Sequence, residues 1–131
     1  MRKTTVNFAQ VNAAAPLIVV PARVNGVARL RFLLDTGASH SCVTPRLVKR
    51  LGLTSHGDAT ALGAGGELKL SLARIESLSV GKATVKNLTV AIVDIDHVAK
   101  LVKKVDGVLG NDFMRRFVVT LDYRKGKATF A

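Results

Sequence analysis

The stretch Phe32-Leu33-Leu34-Asp35-Thr36-Gly37-Ala38-Ser39 sets a carboxylate at the end of an apolar run and directly before a glycine-bearing turn. Alone, Asp-Thr-Gly says little, because all three residues are common turn formers. Its weight comes from what surrounds it. Upstream, apolar runs at residues 17–24 and 27–34 flank Asn25-Gly26, the pair that best tolerates the positive φ angles of a tight hairpin turn. Downstream, Ser41-Cys42-Val43 reads as a short buried strand. Thr44-Pro45 then opens a helix of about two turns, with Thr44 as N-cap, Pro45 at the first position and an end near Gly52.

Further out, Gly63-Ala64-Gly65-Gly66 forms a glycine-rich tip between two extended arms, the second running to Val80. Gly81-Lys82 reverses the chain into another strand at residues 83–93. Residues 94–104 stay open between a helix, since Val98, Leu101, Val102 and Val105 fit one helical face, and a loop. The apolar-apolar-glycine element Val108-Leu109-Gly110 precedes a short helix at residues 111–116, and strands at 117–123 and 127–130 complete the chain. Short β-branched and leucine-rich runs separated by turn residues define an all-β domain with one or two short helices. The 131 residues suffice for one domain, with 1–15 expected as a flexible N-terminal arm.

In their order, these elements resemble the retropepsin-like aspartic proteases. Members of that family carry an apolar-apolar-Asp-Thr-Gly-Ala element, a flap hairpin, and an apolar-apolar-Gly element before a short helix. Here these are Leu33-Leu34-Asp35-Thr36-Gly37-Ala38, the hairpin at residues 61–68, and Val108-Leu109-Gly110, so the likeness extends over nearly the whole chain. The resemblance implies a closed β barrel, no cofactor, a peptide substrate and a homodimer, since members of this length contribute one catalytic Asp each. It assigns catalysis to Asp35 and support of the active-site loop to Thr36, Gly37 and Ala38. Thr36 would link the two subunits' loops. Substrate and flap contacts fall to Ser39, Gly63, Ala64, Gly65 and Gly66. The chain departs from the viral pattern at Ser39 and Asn111, where an acid and an arginine are usual, so the ion pair between those positions is missing.

The chemistry agrees. Hydrolysis by two carboxylates needs one charged and one protonated, and two carboxylates about 3 Å apart cannot both ionise. With a single Asp-Thr-Gly, the second carboxylate is expected from a second subunit. The other acids have plainer readings: Asp106 as a turn residue, Asp112 as a helix-start residue and Asp122 at a strand end.

Composition narrows the alternatives. Apolar residues at 48% and charged ones at 22% match an ordinary packed domain and exclude a disordered or collagen-like chain. The net charge of +11 would attract polyanions, and a basic polyanion-binding protein is one competing reading. The basic residues are scattered, however, and five Phe, one Tyr and no Trp offer few stacking platforms, so no specific nucleic-acid partner is expected. A second competing reading is a retropepsin-fold module that dimerises or binds peptide without cutting it. Cys42, the single cysteine, excludes an internal disulfide and reads as a structural thiol. His40, His56 and His97 have no short-spaced ligand partner, so no metal site is expected. No run approaches the roughly 18–20 apolar residues of a membrane span, and no signal segment is legible. Localisation stays unassigned: cytoplasmic if the chain is complete, exported or membrane-tethered if it is a fragment.

Overall fold

The computed structural model describes residues 2–11, 17–63, 66–95 and 104–131. Its strands are β1 (Thr4–Asn7), β2 (Ala9–Val11), β3 (Leu17–Val24), β4 (Val27–Leu34), β5 (Cys42–Val43), β6 (Ser55–Gly63), β7 (Gly66–Val80), β8 (Ala83–Ile92), β9 (Gly107–Leu109), β10 (Val119–Asp122) and β11 (Lys127–Phe130). Among the described residues two short helices, α1 (Pro45–Leu51) and α2 (Asn111–Met114), are set between them. Strands β2-β3-β4-β9-β5-β8-β7-β6 form one sheet, and an additional β3–β7 pairing closes its middle into a barrel. A second sheet, β1-β11-β10, lies at the chain ends.

Local chemistry accounts for the elements. Asn25 (φ 51°) and Gly26 (φ 80°) hold the positive angles that turn β3 into β4. Asn25 also binds the neighbouring strand: its Oδ1 accepts from the Glu76 and Ser77 amides at 2.8 and 3.2 Å. This ties the hairpin turn to β7, next to the point where the barrel closes. Helix α1 begins where the Thr44 hydroxyl accepts from the Leu47 amide (3.2 Å) and stops at Gly52 in the left-handed region (φ 64°), with Lys49 and Arg50 in its last turn.

The core fills the barrel. Val20, Val24, Leu30, Phe32, Val43, Leu47, Ile75, Leu78 and Leu109 are wholly buried or nearly so. Phe113 and Phe130 extend this core beneath the terminal sheet, with ring centroids 6.0 Å apart. Each large apolar side chain so enclosed contributes about 1.5–3 kcal/mol relative to exposure.

The segment expected as an N-terminal arm instead supplies two strands. β1 pairs with β11 from Thr4↔Phe130 to Asn7↔Lys127, and β2 pairs with β3. The reason lies at the far end of the chain, where β11 offers β1 a partner that no local pattern announces. The helix expected over 111–116 is confined to Asn111–Met114. The doubtful stretch 94–104 falls largely outside the described residues.

Strand β9 passes between β4, to which it runs parallel, and β5, to which it runs antiparallel. Room there is tight: a Cβ on Gly107 would overlap the Cys42 carbonyl and the Phe32 ring. Gly107→Ala is therefore expected to lower stability by about 1–3 kcal/mol, the usual cost of overpacking, as measured by denaturant unfolding.

Candidate active site

Asp35 follows β4 directly, and its backbone amide donates to the Leu109 carbonyl (3.1 Å), extending the β4–β9 ladder by one bond. The loop then folds on itself. The Gly37 amide donates to Asp35 Oδ1 (2.9 Å), and the Ala38 amide donates to the Asp35 carbonyl (3.2 Å). A Cβ on Gly37 would approach that same carboxylate oxygen to 3.3 Å, so glycine keeps the acid's surroundings open. Asp35 and Thr36 are exposed, and the Thr36 hydroxyl has no hydrogen-bond partner among the described residues.

A second set of bonds fastens this loop to the apolar-Gly element. The Asn111 amide donates to the Ala38 carbonyl (2.7 Å). Ser41, fully buried, donates through its hydroxyl to Asp112 Oδ1 (2.7 Å), while its amide reaches both Asp112 oxygens (3.0 Å each). The same hydroxyl accepts from the Gly110 amide (2.9 Å). Asp112 is thus a buried carboxylate held entirely by charge-assisted donors, a stronger tie than a neutral hydrogen bond. Gly110 is required here, because a Cβ would come within 2.6 Å of the His40 backbone.

Asp112 is therefore more than the helix-start residue expected. Asp106, expected as a turn residue, is also buried: its Oδ2 accepts from the Arg31 amide (2.9 Å), and its Oδ1 lies 3.7 Å from Arg46. The Arg46 head is largely exposed, so the ion pair adds little and the backbone bond matters more. Asp122 accepts from the Lys125 amide (3.0 Å), in keeping with a strand-end turn.

A groove of about 820 Å³ opens beside Asp35. Asp35, Gly37, Ala38, Ser39, His40 and Val108 line one side, and Thr60, Leu70 and Leu72 line it from the β6–β7 hairpin. Beyond Ser71 this hairpin leaves the barrel, since residues 66–70 of β7 pair only with β6. Gly63 and Gly66 face one another across its end, while Ala64 and Gly65 lie outside the described residues. Thr89, Ala91, Val93, Ile95 and Cys42 complete a lining that is mostly apolar. Ser39 and His40 are joined at the rim, with Ser39 Oγ 3.0 Å from His40 Nδ1. Sequence reasoning thus placed Asp35, Gly37, Ala38, Ser39 and Val108 where the groove is, but missed Ser41 and Asp112. The only signal for them was their nearness to the two motifs.

Burial of Cys42 pushes its thiol up to about 11. Among the described residues no group of three or more His, Cys, Asp or Glu side chains is placed to hold a metal, and no helix is long and apolar enough to cross a membrane.

Comparison with known proteins places the chain in a family. Residues 20–113 match the aspartyl protease family. The chain belongs to that family, and its fold is that of the retropepsin-like members. It is similar to the crystal structure of a retropepsin-like aspartic protease from Rickettsia conorii, with 24% identity, a TM-score of 0.67, and coverage of 98% of this chain and 89% of that one. It is also similar to EIAV protease in complex with the inhibitor HBY-793, with 20% identity, a TM-score of 0.53, and coverage of 75% and 85%. No curated protein sequence matches.

Removing the Asp112 carboxylate strands the Ser41 donors in a buried site, at a cost of about 1–3 kcal/mol. Asp112→Ala is expected to lower the melting temperature by several degrees and to reduce any Asp35-dependent activity, as read by calorimetry and peptide cleavage. Cys42, buried and protonated, should resist alkylation at pH 8 until denaturant is added, which a mass-spectrometric time course would follow.

Proposed function

We propose that this chain is one subunit of an aspartic endopeptidase, in which water held between two Asp35 carboxylates, one from each of two copies, hydrolyses a peptide bond. One observation carries the reading: among the described residues, Asp35 is the only acid lining the groove, and it stands exposed at the head of a loop anchored by backbone hydrogen bonds. A carboxylate dyad needs a second member, and Asp106 and Asp112 are committed to backbone donors elsewhere.

In the dimer, the charged Asp35 takes a proton from water as its oxygen attacks the scissile carbonyl carbon. The protonated Asp35 donates to the carbonyl oxygen. As the C–N bond of the tetrahedral intermediate breaks, the newly protonated Asp35 gives its proton to the departing amine while a hydroxyl of the intermediate returns its proton to the other Asp35, so the dyad is left with one shared proton. That shared state belongs to the pair rather than to either residue. Thr36, with its hydroxyl free, bonds across to the facing loop, and Gly37 lets substrate backbone approach. The β6–β7 hairpin closes over the peptide as a flap, with Gly63, Ala64, Gly65 and Gly66 as its tip. The apolar lining favours aliphatic or aromatic substrate side chains next to the cleaved bond.

Cleavage of a diverse peptide library between about pH 4 and 7 tests this reading, because the dyad must hold one proton to act. Asp35→Asn is expected to lower turnover by about 10²–10⁴-fold or more while the circular dichroism stays unchanged. Excess Asp35→Asn subunits should poison the wild type in proportion to the mixed dimers formed. Full activity in Asp35→Asn would refute the mechanism, and absence of any Asp35-dependent cleavage would favour a non-catalytic peptide-binding module.

A further inference from the structure

Few groups that titrate line the groove. Among its described lining residues Asp35 is the carboxylate, Cys42 is a buried thiol, and His40 is the side chain able to carry positive charge. The mechanism uses Asp35 and leaves His40 without a task. Ser39 and His40 form a two-residue rim, both exposed, whose backbone is fastened on either side. Before them, the Ala38 carbonyl accepts from the Asn111 amide (2.7 Å). After them, the Ser41 amide reaches Asp112 (3.0 Å) and the Ser41 carbonyl accepts from the Ala91 amide (3.2 Å). Gly110 packs against the His40 backbone so closely that a Cβ would come within 2.6 Å of it. The rim is thus held to the same frame that holds Asp35.

We propose that His40, together with Ser39, selects peptides that carry an acidic side chain beyond the apolar residues flanking the cleaved bond, a role that rests on the reading of this chain as a peptidase subunit. Ser39 Oγ lies 3.0 Å from His40 Nδ1, and His40 has no other hydrogen-bond partner among the described residues. A charged imidazole donates from both ring nitrogens. Its Nδ1–H then gives to Ser39 Oγ, which releases the serine hydrogen to donate outward, and Nε2–H stands unused. Two donors and one positive charge are what a carboxylate binds most strongly. A basic substrate side chain would find, among the described lining residues, no carboxylate but Asp35 itself.

Charge and symmetry extend the argument. At the mildly acidic pH at which a carboxylate dyad holds one proton, an imidazole is cationic and peptide glutamates and aspartates are largely ionised. The net charge of +11 draws acidic peptides toward the molecule before they reach the groove. Within it, Leu70, Leu72, Val93, Ile95 and Val108 give an apolar surface that offers a carboxylate nothing to bind, so the rim pair decides where the acid sits. In a site shared by two copies each contributes one His40, and one stands on either side of the cleaved bond. An acidic residue is accordingly favoured once on each side.

A peptide that the wild type cuts, remade with Glu, Gln or Lys in turn at each position beyond those flanking the cleaved bond, tests the pair at about pH 5.5. The kcat/KM for Glu is expected to exceed that for its isostere Gln by about fivefold or more at one position on each side, mainly through KM, with Lys the poorest of the three. His40→Gln should bring the Glu/Gln ratio to about one, and His40→Asp should invert the order so that Lys is favoured. Ratios are taken within each variant, so a general change in turnover cancels. Circular dichroism checks that both variants, altered at an exposed side chain, keep the fold. A Glu/Gln ratio of about one in the wild type, or a preference that survives His40→Gln, in protein whose cleavage is lost in Asp35→Asn, would overturn the role of His40 and leave the peptidase reading standing. Absence of any Asp35-dependent cleavage would overturn both.

Discussion

The architecture depends on how closely β9 passes between β4 and β5. That passage places the Leu109 carbonyl under the Asp35 amide, the Gly110 amide against the Ser41 hydroxyl and the Asn111 amide against the Ala38 carbonyl. Two glycines make it possible, since a side chain at Gly107 or Gly110 would collide with backbone. The acid is therefore positioned by main-chain bonds, which change little with the identity of neighbouring side chains. The adjoining groove can then vary its lining without moving Asp35.

The charges that hold this crossing differ from those expected of the viral pattern. Ser39 and Asn111 remove one ion pair, and the load falls instead on Asp112, one residue further on, acting on Ser41. A buried carboxylate satisfied by an amide, a hydroxyl and its own helix's first turn meets the conditions under which a buried charge is tolerable. Asp106 applies the same device on the other side of β9, where it reaches the Arg31 amide. Both acids bear on the frame around Asp35, and neither lines the groove.

Much of this was legible in the chain because local chemistry wrote it plainly. Asn25-Gly26 turns where such a pair should, and Thr44-Pro45 caps the helix that Gly52 ends. Asp35-Thr36-Gly37 and Val108-Leu109-Gly110 meet as their order implied. What escaped reading depends on contacts distant in sequence. β1 is a strand only because β11 lies beside it, more than a hundred residues away. Asp112 looked like any acid at a helix start, because its partner Ser41 lies 71 residues earlier, beside the neighbouring strand β5, in a segment whose own pattern announces only a strand.

The tie between Asn25 and β7 has a consequence for the chemical ageing of the protein. Asparagine followed by glycine is the pair most prone to deamidation, because the next amide nitrogen can attack the side-chain carbonyl with little steric hindrance. Here that carbonyl oxygen is engaged by the Glu76 and Ser77 amides, and rotation into the cyclising geometry would break both bonds. The labile pair is thus guarded by a contact next to the point where β3 and β7 close the barrel. Conversion of Asn25 to aspartate or isoaspartate in stored protein would record how often β3 and β7 part, a slow chemical clock for opening of the fold.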